Sequence, residues 1–178
     1  MQSYNIIFVW LMINNNLIIL KNKHTLSFDD FHFKCSIGKK GLTQKKFEGD
    51  NKTPKGIFKI GPIFYRPDRV KIPNSKLSIK KINSEMIWCN DISNKKNYNK
   101  LTSLKKTKGE KLFRKDDKYN YFIPILYNTK KRILGKGSAI FIHLTKQFKG
   151  TAGCIALNEK DFLILIKLIN KDTKIKIF

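Results

Sequence analysis

Ser138-Ala139-Ile140-Phe141-Ile142-His143-Leu144 runs into Thr145-Lys146-Gln147-Phe148-Lys149-Gly150, and then into Thr151-Ala152-Gly153-Cys154-Ile155-Ala156-Leu157. An apolar run of strand type ends at a histidine, a polar loop follows, and small residues lead through a cysteine into a second apolar stretch. Strand, loop, strand is the reading around which the rest of the chain arranges itself. The same stretch holds the candidate chemistry. Small residues before a cysteine let backbone amides approach a bound group closely. A thiol in such a turn can attack a carbonyl, with the amides of Gly153 and Cys154 facing the developing oxyanion. Because the thiolate is the reactive form, the thiol needs a base or a cation beside it. His143 is the nearest histidine in sequence, and a loop of this length can fold it back onto Cys154. Spacing alone leaves the plainer reading open, since a lone cysteine is commonly a small buried residue and a histidine at a strand end is commonly structural.

Working outward, period-two alternation dominates. His24-Thr25-Leu26-Ser27-Phe28 alternates, and Phe31, Phe33, Cys35 and Ile37 continue the pattern after Asp29-Asp30. That predicts a hairpin turned by the Asp pair. Residues 38–51 carry Gly38, Gly41 and Gly49 and read as a loop. Thr53-Pro54-Lys55-Gly56 reads as a turn into a strand at Ile57-Phe58-Lys59-Ile60. Residues 90–120 are polar and rich in Lys and Asn, which fits either a surface excursion or a flap over a site. Tyr121-Phe122-Ile123-Pro124-Ile125-Leu126-Tyr127 reads as a buried strand, and Pro124 points to an edge or a bulge. Helical spacing of Phe162, Leu165, Ile166 and Ile169 predicts a helix from 159 to about 171, capped by Asn158. Lys174-Ile175-Lys176-Ile177-Phe178 reads as a last strand. The expected architecture is one mainly β domain over 1–178 with a helix near the C-terminus.

The chain has 178 residues and a formal net charge of +24. The basic residues are 33 Lys and only 4 Arg. Recognition of phosphates and bases favours the forked guanidinium, so the lysine excess reads as a solvated surface and no dedicated nucleic-acid site is expected. The cysteines Cys35, Cys89 and Cys154 are odd in number and none forms a C-x-x-C pair, which argues against a disulfide framework or a zinc site. Cys35 shares its alternation with Phe33 and Ile37 and reads as a core thiol, and Cys89 as structural. His24 and His32 read as solvated. The apolar run at 6–13 is too short to span a bilayer, which takes ~20 residues. No Lys or Arg precedes it, so it reads as a first strand, or as residues ahead of a start at Met12, rather than as a signal peptide. No transmembrane segment is expected.

Several separated motifs resemble the YkuD-type L,D-transpeptidase catalytic domain. Ser138-Ala139-Ile140-Phe141-Ile142-His143 followed by Thr151-x-Gly153-Cys154-Ile155 resembles the family's active-site signature, a His at a strand end, a loop, then Ser/Thr-x-Gly-Cys. Thr53-Pro54-Lys55-Gly56-Ile57-Phe58 resembles its Thr-Pro-x-Gly-x-Phe segment. Tyr65-Arg66-Pro67-Asp68-Arg69, Trp88-Cys89-Asn90-Asp91, Tyr98-Asn99 and Gly135-x-Gly137-Ser138-Ala139-Ile140-Phe141 resemble a bacterial subgroup. The resemblance runs from about residue 17 to 178.

It implies a sandwich-like β domain acting in bacterial cell-wall biogenesis, and through it on cell shape, with peptidoglycan stem peptides or muropeptides as substrate. It implies neither metal nor organic cofactor. Cys154 would be the nucleophile and His143 the general base, with the Leu144 carbonyl orienting the imidazole. The amides of Gly153, Cys154 and Ala152 would form the oxyanion hole. Thr151, Trp88, Asp91 and Arg114 would support the site or bind substrate. Two departures stand out: the commonest signature is Ser-His-Gly-Cys-Ile-Arg, and here Ala152 replaces the second His and Ala156 the Arg. Ala152 points the base role at His143. Ala156 raises the question of which cation meets a substrate carboxylate, with Arg66, Arg69 and Arg114 as candidates. Two alternatives accompany the transpeptidase reading: an L,D-carboxypeptidase trimming tetrapeptides, and a non-catalytic basic module binding an anionic polymer. A carboxypeptidase on recycled fragments would be cytoplasmic, whereas the family's function on the wall is periplasmic.

Overall fold

The computed structural model describes residues 16–178, so the apolar run at 6–13 lies outside the described residues. The alternating segments become strands with their apolar faces turned inward. They are β1 (Leu17–Leu20), β2 (Thr25–Phe28), β3 (Phe31–Ser36), β4 (Leu42–Thr43), β5 (Thr53–Pro54), β6 (Gly56–Lys59), β7 (Ile63–Tyr65), β8 (Ile79–Lys81), β9 (Met86–Trp88), β10 (Leu101–Ser103), β11 (Glu110–Lys111), β12 (Tyr121–Pro124), β13 (Phe141–Leu144), β14 (Ile155–Leu157) and β15 (Lys174–Ile177). The helix α1 (Glu159–Leu168) precedes β15. Among the described residues no helix is long and apolar enough to cross a membrane.

Ten strands form one curled sheet in the order β6-β15-β1-β2-β3-β14-β13-β12-β7-β8. Strand β3 is the joint. Its first part pairs with β2, Phe33 opposite Leu26, and its end pairs with β14, Cys35 opposite Leu157. The hairpin β2–β3 is the one the alternation predicts, and Asp29 takes the positive φ of 49° that its turn requires. Curling brings Ile18, Leu26 and Phe33 from one arm against Ile123, Ile142 and Leu157 from the other, in a core that Phe162, Leu165 and Ile166 of α1 complete. Burial of such apolar surface, ~25 cal/mol per Å², is the main force holding the sheet curled. Cys35, 1% exposed, belongs to this core.

A second apolar cluster lies on the other face of β7, β12 and β13: Phe64, Phe122 and Phe141 pack with Trp88, Leu112 and Tyr119. The pleat makes this division. Along β13, Ile142 and Leu144 join the first core, while Phe141 joins the second. His143, one step beyond Ile142, shares the face of Phe141 and sets its ring 5.5 Å from that of Tyr119. The small sheet β10-β9-β11 stands on the second cluster. Residues 90–120 are therefore a packed wall rather than a loose excursion.

One expectation is narrowed and one corrected. Pro124 sits in a strand flanked on both sides, by β13 and β7, which excludes the edge and leaves the bulge: the pairing slips by one residue between Phe122 opposite Phe64 and Ile125 opposite Ile60. Pro124 is tolerated because its carbonyl accepts from Gly61 N–H at 2.8 Å. Its missing N–H therefore faces the same side, where the β7 ladder has already stopped at Phe64. The helix ends at Leu168, short of 171. Ile169 is extended at ψ 160°, and the Asn170 side chain accepts from Asp172 N–H and Asn16 Nδ2, competing for the local backbone. At the other end Asn158 accepts from Asp161 N–H at 2.8 Å, as a cap does.

Candidate active site

β13 and β14 are parallel neighbours, Ile142 opposite Ile155 and His143 opposite Ala156. Residues 145–154 make the crossover as a loop. Cys154 immediately precedes β14, two residues from Ala156, so it shares the face of Ala156 and of His143. The methyl of Ala156 is all that stands in the strand position across from the imidazole. Cys154 and His143 both line a groove of about 1000 Å³. Each is nearly buried, 8% and 6% exposed.

The thiol is held by the far strand. Cys154 Sγ accepts from Phe141 N–H at 3.3 Å and donates to the Ala139 carbonyl at 3.3 Å. Ala139 presents that carbonyl from a positive φ of 51°. The residue that fixes it there is Asn99, whose Oδ1 accepts from Ala139 N–H at 3.1 Å and whose Nδ2 donates to the Tyr127 and Asn128 carbonyls. Trp88 donates to the same Asn99 oxygen at 2.8 Å and packs edge-on against Phe141.

The turn before Cys154 is tied internally. Thr151 Oγ1 donates to the Cys154 carbonyl at 2.6 Å and accepts from Gly153 N–H at 3.1 Å. The Gly153 amide, expected to face an oxyanion, is thus committed to Thr151, and no turn hydrogen bond is made by the amides of Ala152 or Cys154. From the other side Thr53 Oγ1 donates to the Gly153 carbonyl at 2.8 Å and accepts from Gly38 N–H at 2.9 Å. Thr53 is fully buried. Thr53→Val keeps the shape and leaves both partners unpaired, each at ~1–3 kcal/mol. Urea unfolding is expected to show a loss of about 3 kcal/mol, with Thr53→Ser close to the parent.

His143 donates from Nδ1 to the Leu144 carbonyl at 2.9 Å, which leaves Nε2 as the acceptor nitrogen. Burial pushes the His143 imidazolium down to about 4, against the Leu144 bond that favours it. Burial pushes the Cys154 thiol up to about 12, with Glu110 adding to the rise and Phe141 N–H, Lys46 and Arg114 opposing it. At neutral pH the pair is a thiol and a neutral imidazole. Glu110 is itself raised by burial, accepts from Tyr119 Oη and lies 3.8 Å from Arg114.

Residues 9–177 match the family model of the YkuD L,D-transpeptidase catalytic domain. The chain belongs to this family. A solved structure, that of Bdellovibrio bacteriovorus Bd1075, is similar at 17% identity and a TM-score of 0.46 over 91% of the chain. The chain spans about half, 47%, of that protein's length. No functionally curated protein matches.

In this L,D-transpeptidase domain the groove gathers Cys154, His143, Leu144, Thr151, Ala152, Gly153 and Arg114, but not Trp88 or Asp91. Trp88 is buried beneath the groove floor, packed with Phe141 and Cys154 in the second cluster, and Asp91 spends its carboxylate on Ser93, which lowers its pKa. Arg66 and Arg69 also lie off the groove. Arg66 is clamped to Asp68 and donates to the Arg114 carbonyl at 2.6 Å, while Arg69 donates to the Lys115 and Asp116 carbonyls at 2.9 Å. Together they hold the backbone of the wall segment that presents Arg114. Arg114 makes a two-point contact with Asp116 at 2.7–2.8 Å and lies over the Tyr119 ring. Glu110, Tyr119, Lys46 and Asn99 were not among the site residues expected from sequence. Only Asn99 had a signal there, through the Tyr98-Asn99 motif.

Proposed function

We propose that this domain transfers acyl groups of peptidoglycan stem peptides through a Cys154 thioester, with His143 as general base. The observation that carries the reading is the shared face of β13 and β14: it places the Cys154 thiol and an imidazole with a free Nε2 in one groove. Family membership supplies the cell-wall context.

In the first step His143 Nε2 takes the Cys154 proton as sulfur bonds to the carbonyl carbon of the diamino acid residue. The Ala152 and Cys154 amides stabilise the oxyanion, the Gly153 amide being held by Thr151. The carbon–nitrogen bond then breaks, and His143 returns the proton to the departing D-amino acid. In the second step an amine of another stem peptide attacks the thioester, gives its proton to His143, and the thiol is restored. Of the three arginines, Arg114 takes the substrate carboxylate, because it lines the groove and Arg66 and Arg69 do not; its Nε and Nη2 hold Asp116, and Nη1 is the donor left for substrate.

The test is incubation of the purified protein with a tetrapeptide muropeptide ending in D-Ala, followed by mass spectrometry of products and of the protein's peptides. Release of D-Ala with an acyl adduct on the Cys154 peptide is the expected result. A cross-linked dimer identifies the acceptor as an amine. A tripeptide identifies it as water, the carboxypeptidase outcome. Unchanged substrate and unmodified Cys154, beside salt-sensitive binding of an anionic polymer, would replace the enzyme reading with that of a basic binding module.

A further inference from the structure

Lys46 and Asp50 form an ion pair that the acyl-transfer reading leaves unused. Lys46 is the one buried lysine among the described residues, and the two side chains are 3% and 1% exposed. Such a pair is costly to bury and is weak evidence for stability alone. Asp50 is well satisfied: besides Lys46 it accepts from Lys52 N–H at 2.9 Å and Phe47 N–H at 3.1 Å. Lys46 is less so. Its ammonium donates to Asp50 and to the Phe47 carbonyl at 3.2 Å, two of its three donors.

The position of this cation is fixed by two glycines. A Cβ on Gly137 would come within 2.8 Å of Lys46 Cγ, and a Cβ on Gly153 within 3.6 Å of Lys46 Nζ. The ammonium therefore lies against the turn that carries Cys154, and Lys46 lines the same groove. The Lys52 carbonyl, on the segment that Asp50 anchors, presses on the same glycine at 2.9 Å from the Cβ position.

We propose that Lys46 is a positioning residue for acyl transfer: from beneath the turn it stabilises the negative charge that Cys154 sulfur, and then the oxyanion, acquires. The inference rests on the reading of Cys154 as nucleophile. The other titratable groups lining the groove are Glu110, Arg114, Asp116, Asp117 and Lys118 from the wall, Tyr119, His143 on β13, Lys39 and Glu48 from the loops before β5, Lys146 and Lys149 on the crossover, and Glu159 on α1. Glu110 disfavours a charge on sulfur, while Lys46 and Arg114 favour it. Arg114 spends Nε and Nη2 on Asp116, whereas Lys46 is held against the turn with one donor beyond its bonds to Asp50 and Phe47.

The experiment follows alkylation of Cys154 by iodoacetamide from about pH 6 to 10, read on the Cys154 peptide by mass spectrometry. Lys46→Met is expected to shift the profile up by about one pH unit, about tenfold slower at a fixed pH below it, with Lys46→Arg close to the parent. Because Lys46→Met strands a buried carboxylate, Lys46→Met with Asp50→Asn is measured beside it, each with a melting curve. A folded double variant whose Cys154 profile overlays the parent's would overturn the proposal. Alkylation does not depend on turnover. A Lys46-dependent profile in a protein that processes no muropeptide would therefore sink the acyl-transfer reading and leave the electrostatic coupling standing.

Discussion

Cys154→Ala and His143→Gln are each expected to slow release of the terminal D-amino acid by on the order of 10⁴-fold, and the double variant to be little worse than either. In the proposed mechanism proton removal and sulfur attack are one event, which is why the losses do not add. With the thiol pushed up to about 12 and the imidazole down to about 4, the resting pair carries no charge. Removing either partner leaves the other with nothing to do. The same values fix the pH dependence. The parent rate is expected to rise as pH climbs through about 4, where the imidazole loses its proton, and not near the ordinary histidine value of 6.5. Stability follows with a defined sign. An unfolded His143 takes up a proton near 6.5 while the folded one stays neutral to about 4, so stability present above 6.5 is lost as pH falls through that window. The loss is on the order of 3 kcal/mol. His143→Gln abolishes that part of the acid sensitivity. Initial rates and melting temperatures at pH 7 and pH 4.5 check both. An additive double variant would sink the paired mechanism, and so would a rate that collapses below pH 6.5.

What was legible beforehand depended on the range of the interaction. The β2–β3 hairpin and the inward Ile175 and Ile177 of β15 follow from alternation over a few residues, which local sequence records directly. The candidate site's loop was legible because a histidine at the end of β13 and a cysteine just ahead of β14 flank one crossover. The support beneath it was not. Thr53 reaches Gly153 across 100 residues, and nothing near either residue announces the other. Lys46 reads as one more lysine of a basic surface, since its burial comes from Asp50 in a loop without periodicity. Residues 90–120 hid their packing for a related reason. Leu112 and Tyr119 are isolated within a polar stretch, and only the second core shows that they converge on Phe122 and Phe141.

Gly153→Ala is expected to damage both fold and chemistry more than any other single methyl group added near the groove. Gly153 holds φ at +143°, a region that residues with a Cβ rarely adopt, at a cost of ~1–3 kcal/mol. Space is refused as well. The new methyl would sit 2.9 Å from the Lys52 carbonyl and 3.3 Å from Ile140 Cδ1. The Lys52 carbonyl cannot retreat cheaply, because the peptides on either side are tied, the Lys52 N–H to buried Asp50 and the Thr53 N–H to the Gly41 carbonyl. The turn must therefore move, and two contacts move with it: the Gly153 carbonyl on Thr53 and the thiol between Phe141 and Ala139. Urea unfolding should show a loss of about 3–5 kcal/mol from strain and the broken buried bond. The D-Ala release of whatever remains folded should fall by about 10²-fold, since a displacement near 1 Å costs that much in a positioned nucleophile. Gly49→Ala is the informative control. Gly49 also has a positive φ, at 77°, but nothing lies within 4 Å of its Cβ position. It should lose stability through strain alone and leave the rate per folded molecule unchanged. Equal rate losses in the two variants would mean that the Cys154 turn is not held by the contacts beneath it.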